Sequence, residues 1–304
     1  MLNTFDHIRD TLQSMGFPGS DYETFVPSRK RFDDGANYRL EIPTMNSAKA
    51  LEALLDESTK LGLTINRVTE TIGICRHNKM EIKHYVELCQ QYGCQLLMSP
   101  GPRAVYDTGG SAKSPQGNFV AYRLRGQDQL VYAISDILRA IDLGVSGFVI
   151  YDEGLLQILG EWKREGKIPS HILLKVSAHC GHGNPASIRL LEQLGANSIN
   201  PIRDLSLSSL QAIRQCISVP MDCHVDSPVS SGGFIRFYDA PRLVEALSPV
   251  YIKTGNSLLP SHGSVLTCEQ ARAIAHQSYA VSEIIQEHAP SAVQSDLFST
   301  NYCI

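Results

Sequence analysis

The sequence predicts an α/β fold of the (β/α)8 TIM-barrel class, and three observations predict it. Strand-like and helical segments alternate strictly across residues 38–290, eight of each, which implies a parallel sheet. Strand starts recur at roughly 22 to 31 residues, apart from the interval that holds one long loop, and eight units in about 250 residues match a closed barrel. The turn after the first strand, Pro43-Thr44-Met45-Asn46, has no glycine, whereas an open doubly wound sheet usually carries a glycine-rich turn there.

Each element follows from periodicity and punctuation. Residues 1–37 read as an N-terminal arm: a short helix over Asp6 to Met15, then Gly16, Pro18, Gly19, Pro27 and the basic patch Arg29-Lys30-Arg31. The arm is expected to pack on the outside of the domain or on another subunit. Tyr38 to Pro43 alternates as a strand. Ser47 to Leu63 carries helical apolar spacing at Leu51, Leu54, Leu55 and Leu61, with Gly62 as its stop. Asn66 to Ile72 is strand-like. Asn78 and Glu81 stand at capping-box spacing before a helix that runs to Gly93, and Gln95 to Ser99 is the third strand. The loop from Pro100 to Arg125, rich in Gly, Pro and Ser, is long enough for a lid or a subunit contact.

Gln127 to Leu143 is a helix, Phe148 to Tyr151 a strand and Leu155 to Glu165 a helix. Ile172 to Val176 is the fifth strand. Asn184-Pro185 starts the next helix, because proline suits the first helical position. Ser198 to Asn200, Met221 to Val225 and Val250 to Lys253 complete the strands, with helices over Ser206 to Cys216 and Pro241 to Leu247. Thr267 and Gln270 resemble a capping box for a last helix that reaches His288. Residues 38–290 therefore form the barrel, and 291–304 a loose or draped tail.

Composition narrows the function. Hydrophobic residues make up 43% and charged residues 19% of the 304, which excludes a disordered chain. A net charge of −4 argues against nucleic acid or an anionic membrane as the main partner. No apolar run has the length of a membrane helix, and no secretory signal opens the chain, so a cytoplasmic protein is expected. The eight cysteines form no C-x-x-C pair and read as reduced thiols. Cys180 and Cys223, near strand ends, are the two with a bearing on chemistry.

A parallel barrel gathers its chemistry at the carboxyl ends of its strands. That end receives Glu41, Thr69, Glu70, Ser99, Arg103, Asp152, Glu153, Lys175, Ser177, His179, Asn200, Arg203, Asp222, His224, Asp226, Lys253 and Asn256. Strand starts supply far fewer charges. On the seventh strand, alternation sets Asp222, His224 and Asp226 on one face. His224 is then a proton-transfer group or a metal ligand; an internal salt-bridge network with Lys175 or Lys253 is the plainer alternative. His179, His224 and Asp226 are candidate ligands for a divalent metal, although no compact ligand motif is present. Lys175 ends an apolar strand, where desolvation would favour attack on a carbonyl. Ser231, Gly232 and Gly233 follow strand seven, where barrels often bind phosphate, and Arg103 suits a carboxylate or phosphate. No G-x-S-x-G segment is present.

The run Asn200-Pro201-Ile202-Arg203-Asp204-Leu205-Ser206-Leu207 resembles the strand-to-helix signature of the collagenase-like peptidases of unassigned catalytic type, peptidase family U-32. The resemblance covers roughly Lys175 to Lys253. It implies a barrel, with Arg203 and His224 in the site and hydrolase chemistry as one reading. The family's cysteine cluster is absent, and Asp226-Ser227-Pro228 stands where its cysteine-bearing segment would follow the histidine.

The leading expectation is a homo-oligomeric enzyme acting on a small anionic metabolite such as a sugar acid, keto acid or phosphorylated compound, by lyase or isomerase chemistry. His224 with Glu41, Glu70 or Glu153 would move protons, alongside Lys175 and Asp222. Arg103, Arg203, Lys253, Asn200 and the Ser231-Gly232-Gly233 loop would hold the anion. A hydrolase and a non-catalytic metabolite-binding or assembly barrel are the alternatives.

Overall fold

The computed structural model describes residues 4–22, 24–101, 110, 114–115, 117, 122–261 and 263–298. Arg103 and most of the expected lid loop lie outside them. The strands are β1 (Tyr38–Ile42), β2 (Arg67–Thr69), β3 (Gln95–Leu97), β4 (Gly147–Ile150), β5 (Leu173–Val176), β6 (Ser198–Ile199), β7 (Met221–His224) and β8 (Val250–Lys253). All ladders are parallel, in the order β3-β2-β1-β8-β7-β6-β5-β4. A single bridge between Met98 and Phe148 joins the two ends, with Met98 N donating to Gly147 O at 3.0 Å and Val149 N to Met98 O at 3.0 Å. The sheet is therefore a nearly closed (β/α)8 barrel.

The helices are α1 (Thr4–Ser14), outside the barrel sequence, then α2 (Ala48–Leu61), α3 (Lys79–Tyr92), α4 (Gly126–Ile141), α5 (Glu153–Arg164), α6 (Pro185–Gln193), α7 (Leu207–Cys216), α8 (Ala240–Leu247) and α9 (Cys268–His288). Their ends carry the expected caps. Asn78 and Asn184 accept from backbone N–H groups three residues on, and Thr267 and Gln270 form the full reciprocal box. No helix of the described residues is long and apolar enough to cross a membrane.

Alternation within each strand divides the core. Leu40, Ile42, Val68, Leu174, Val176, Cys223 and Ile252 join the helices in one large apolar cluster. Their neighbours Glu41, Arg67, Lys175, Asp222 and Lys253 are buried on the other side, inside the barrel.

Two local findings differ from the sequence reading. The second strand was expected to reach Ile72, but its ladder ends at Thr69. Glu70 turns the chain there: its carboxylate accepts from Ile72 N at 2.5 Å, Gly73 N at 2.7 Å and Ser99 N at 3.1 Å. The glycine-free turn after β1 has a left-handed residue all the same, since Thr44 sits at φ 67°. This is costly for a β-branched side chain and is held by Met45 N donating to Thr69 O at 2.9 Å.

The base of the barrel is covered by both ends of the described chain. Phe32 packs edge-on against Tyr251 at 5.3 Å. Ser295 N donates to Tyr38 O at 3.0 Å, Asn66 Nδ2 to Ser295 O at 2.9 Å and Phe298 N to Gly93 O at 2.8 Å, so residues 294–298 are tied across β1, β2 and the start of β3.

Candidate active site

Register sets the inner floor of the site. Glu41 on β1 lies level with Arg67 on β2 and Lys253 on β8. Its Oε1 accepts from Lys253 Nζ at 2.8 Å, from Thr69 Oγ1 at 2.8 Å and from Lys175. Its Oε2 accepts from Arg67 Nε at 2.8 Å. Arg67 also pairs with Asp222, donates to Ser198 Oγ at 3.2 Å and lies 3.3 Å over the ring of Tyr251. All five ionisable groups are buried. Three cations thus face two carboxylates in a space where water cannot screen them.

The imbalance shows in the titration of the group. Burial opposes the charge on Glu41, but Arg67, Lys175 and Lys253 outweigh it and hold the carboxyl well below its usual range. Burial pushes Lys175 well down; Asp222 and Glu41 resist, while Lys253 and Arg67 add to the fall. Loss of one proton from Lys175 leaves two cations against two carboxylates.

Above this floor, at the carboxyl ends of the strands, lies a small cavity of about 20 Å³, room for about one water. Lys175, Arg203, Lys253, His224, Asn200, Asn256, Tyr151 and Ser177 are among its lining residues, and among the described residues no lining residue is acidic. His224 is clamped by two amides. Asn256 Nδ2 donates to its Nδ1 at 3.0 Å. With the Asn200 amide oriented to donate to Pro201 O at 3.0 Å and Asp222 O at 2.9 Å, Asn200 Oδ1 accepts from His224 Nε2 at 3.1 Å. This assigns the neutral imidazole with its proton on Nε2. Burial, with Lys253, Arg203 and Lys175 nearby, drives the His224 pKa well below its ordinary value.

Arg203 closes the cavity. Its Nε is 3.4 Å from His224 Nε2, and its Nη2 donates to His179 Nε2 at 3.2 Å. It makes no ion pair among the described residues. Tyr122 stacks on His179 at 4.0 Å and on Tyr151 at 5.0 Å, which roofs the mouth.

The structure thus brings Glu41, Lys175, Asn200, Arg203, Asp222, His224 and Lys253 to one floor and cavity. It sends Glu70, Glu153 and Asp226 elsewhere. Glu70 is occupied by the turn after β2 and by His77, whose Nε2 lies 3.3 Å from its Oε1. Glu153 pairs with Arg123 and His182 outside the cavity; against its burial, these partners lower it to about 2. Neither Glu70 nor Glu153 meets His224, so the expected proton-transfer pairs with them are not formed.

The candidate metal ligands do not assemble either. Asp226 turns away to Ser257, accepting from its N at 2.6 Å and Oγ at 2.7 Å, and to Gln277 Nε2 at 2.8 Å. Among the described residues no group of three or more His, Cys, Asp or Glu side chains is suited to a metal ion. Ser231 and Gly232 line an outer cleft beyond Arg203. Burial pushes Cys180 and Cys223 up to about 12, which makes them poor nucleophiles.

Sequence reasoning missed Arg67. An arginine in the middle of Ile65-Asn66-Arg67-Val68-Thr69 is the signal that could have found it, because a charge on a buried strand needs a partner across the barrel. It also missed a larger cavity of about 370 Å³ at the base, which Arg39, Arg67, Lys175 and Tyr251 help to line.

No protein-family model and no curated protein matches the chain. Solved structures similar to it include a putative fructose-1,6-biphosphate aldolase from Coccidioides immitis, 10% identical with a TM-score of 0.50, covering 84% of this chain and 92% of that one. A U32 peptidase is 16% identical with a TM-score of 0.44, over 76% of this chain and 96% of that one. D-psicose 3-epimerase from Clostridium cellulolyticum H10 is 10% identical with a TM-score of 0.46, over 83% of this chain and 99% of that one. At such identities the similarity is one of fold.

Proposed function

We propose that this barrel is an enzyme for small anionic carbonyl compounds, doing lyase or isomerase chemistry at the carbon next to the carbonyl. One observation carries the reading: Lys175, Arg203 and Lys253 converge with a neutral His224 on one small cavity whose lining, among the described residues, holds no carboxylate. Such a lining attracts an anion and stabilises negative charge as it develops on oxygen.

The substrate's carboxylate or phosphate takes the guanidinium of Arg203, which donates to the His179 imidazole and makes no ion pair among the described residues. The carbonyl oxygen faces Lys253 and takes over the His224 Nε2–H that donates to Asn200 Oδ1 in this structure. The amine of Lys175, with its lowered affinity for protons, removes the proton from the adjacent carbon. The resulting enolate is the shared intermediate of isomerisation and of carbon–carbon cleavage. In this mechanism His224 is a hydrogen-bond donor rather than the base, because its site favours the neutral ring.

The test is solvent exchange. The protein is incubated with a panel of 2-oxo acids in D2O, and loss of the C-3 proton signal is followed by NMR. Exchange is expected with the native chain and is reduced at least about 100-fold in Lys175→Met. Equal exchange in the two proteins rejects the assignment.

A further inference from the structure

We infer that the substrate has two parts: an anionic carbonyl head held at Arg203 and His224, and an uncharged, ring-sized apolar tail lying in the cleft beyond Arg203. The head rests on the function proposed above; the tail goes beyond it.

The argument begins with size. The inner cavity, about 20 Å³, has room for about a water and cannot take a whole metabolite. Next to it lies an open cleft of about 390 Å³, within the range of small-molecule sites. Among the described residues Arg203 is the one that lines both. Its guanidinium stands between them, half-buried, with no ion pair among the described residues. A carboxylate arriving from the cleft can replace the His179 imidazole at 3.2 Å, and the displaced side chain opens the inner space to the carbonyl.

The chemistry of the cleft selects the tail. Ala178, Ile202 and Phe234 give it apolar walls. Asp204 on its rim opposes a second anionic group, so a bisphosphate is a poor fit. Phe234 is a fixed wall: the Arg236 guanidinium lies 4.8 Å from its ring centre. The same Arg236 donates to His224 O at 2.9 Å and to Arg203 O at 2.9 Å. One side chain therefore frames the tail wall, the anion-binding residue and the imidazole together, which fixes the distance between head and tail.

The experiment is calorimetric titration of the full chain with pyruvate, which has only the head, and phenylpyruvate, which adds the ring. Phenylpyruvate is expected to bind at least about tenfold more tightly. In Phe234→Ala the ratio of the two affinities is expected to fall to within about threefold, and in Phe234→Leu to stay intermediate. Thermal melts check that both variants fold. Equal affinities in the native chain overturn the tail and leave the head standing. A preference that survives Phe234→Ala overturns the cleft as its location. If neither acid binds, the proposed function fails and the tail fails with it.

Discussion

Glu41 is the anion on which three buried cations depend. Removing one partner of such a network leaves charge buried without compensation, and that costs more than the pair contributes when intact. Glu41→Gln keeps the volume and removes the charge, so it is expected to lower stability by about 3–5 kcal/mol in urea unfolding. A loss below about 1 kcal/mol would mean that the lysines shed their protons at no cost. Four of the five ionisable members of this centre, Glu41, Lys175, Asp222 and Lys253, were legible in the sequence, because polar residues at alternate positions of otherwise apolar strands face inward. Asp226 satisfied the same rule and Glu70 stood at the expected strand end, and both were misjudged. Their carboxylates bind loop N–H and hydroxyl groups, a use that strand periodicity cannot reveal.

At the scale of elements, the sequence carried most of the order. Caps such as Asn184 and Thr267 are local chemistry, and local chemistry is visible in one chain. Contacts between elements are not. Gly160 lies in α5 where a Cβ would stand 2.1 Å from Leu194 O at the end of α6. Nothing in the residues around it marks that approach, since the partner is distant in sequence. Gly160→Ala must push the two helices apart, and a loss of about 1–3 kcal/mol is expected from its thermal melt despite alanine's better helix propensity. An unchanged or higher melting temperature would show that α5 can shift freely. The early end of β2 is a similar case: Asn66 to Ile72 reads as strand, but the ladder gives way where Glu70 offers the backbone a better set of partners.

For the whole molecule, the surplus of positive charge inside the barrel ties folding to pH. Unfolded lysine binds its proton up to about pH 10.4, whereas burial lowers the folded Lys175 well below that. Between the two values the unfolded chain holds more protons, so Lys175 makes stability rise with pH. His77 acts with the opposite sign. Burial disfavours its charge, but Glu70 and Glu81 outweigh burial and raise it, so its contribution is complete below about pH 6.5 and fades as pH passes its folded value. Comparing melts of the native chain and Lys175→Met from about pH 7 to about pH 10 isolates the first effect. The native curve is expected to gain on the variant across that range; parallel curves would count against a depressed Lys175.

The closure between β3 and β4 has a consequence of its own. Elsewhere around the barrel most neighbouring strands share a continuous ladder, but here one bridge, Met98 with Phe148, joins them. Parting that seam sacrifices few backbone bonds, and Val149 on β4 and Tyr151 just after it also border the inner cavity. The hoop is thinly laced here, as it is between β6 and β7, where Ile199 and Met221 form the one registered pair, so on both sides of the barrel its closure rests on the packing of side chains more than on backbone bonds.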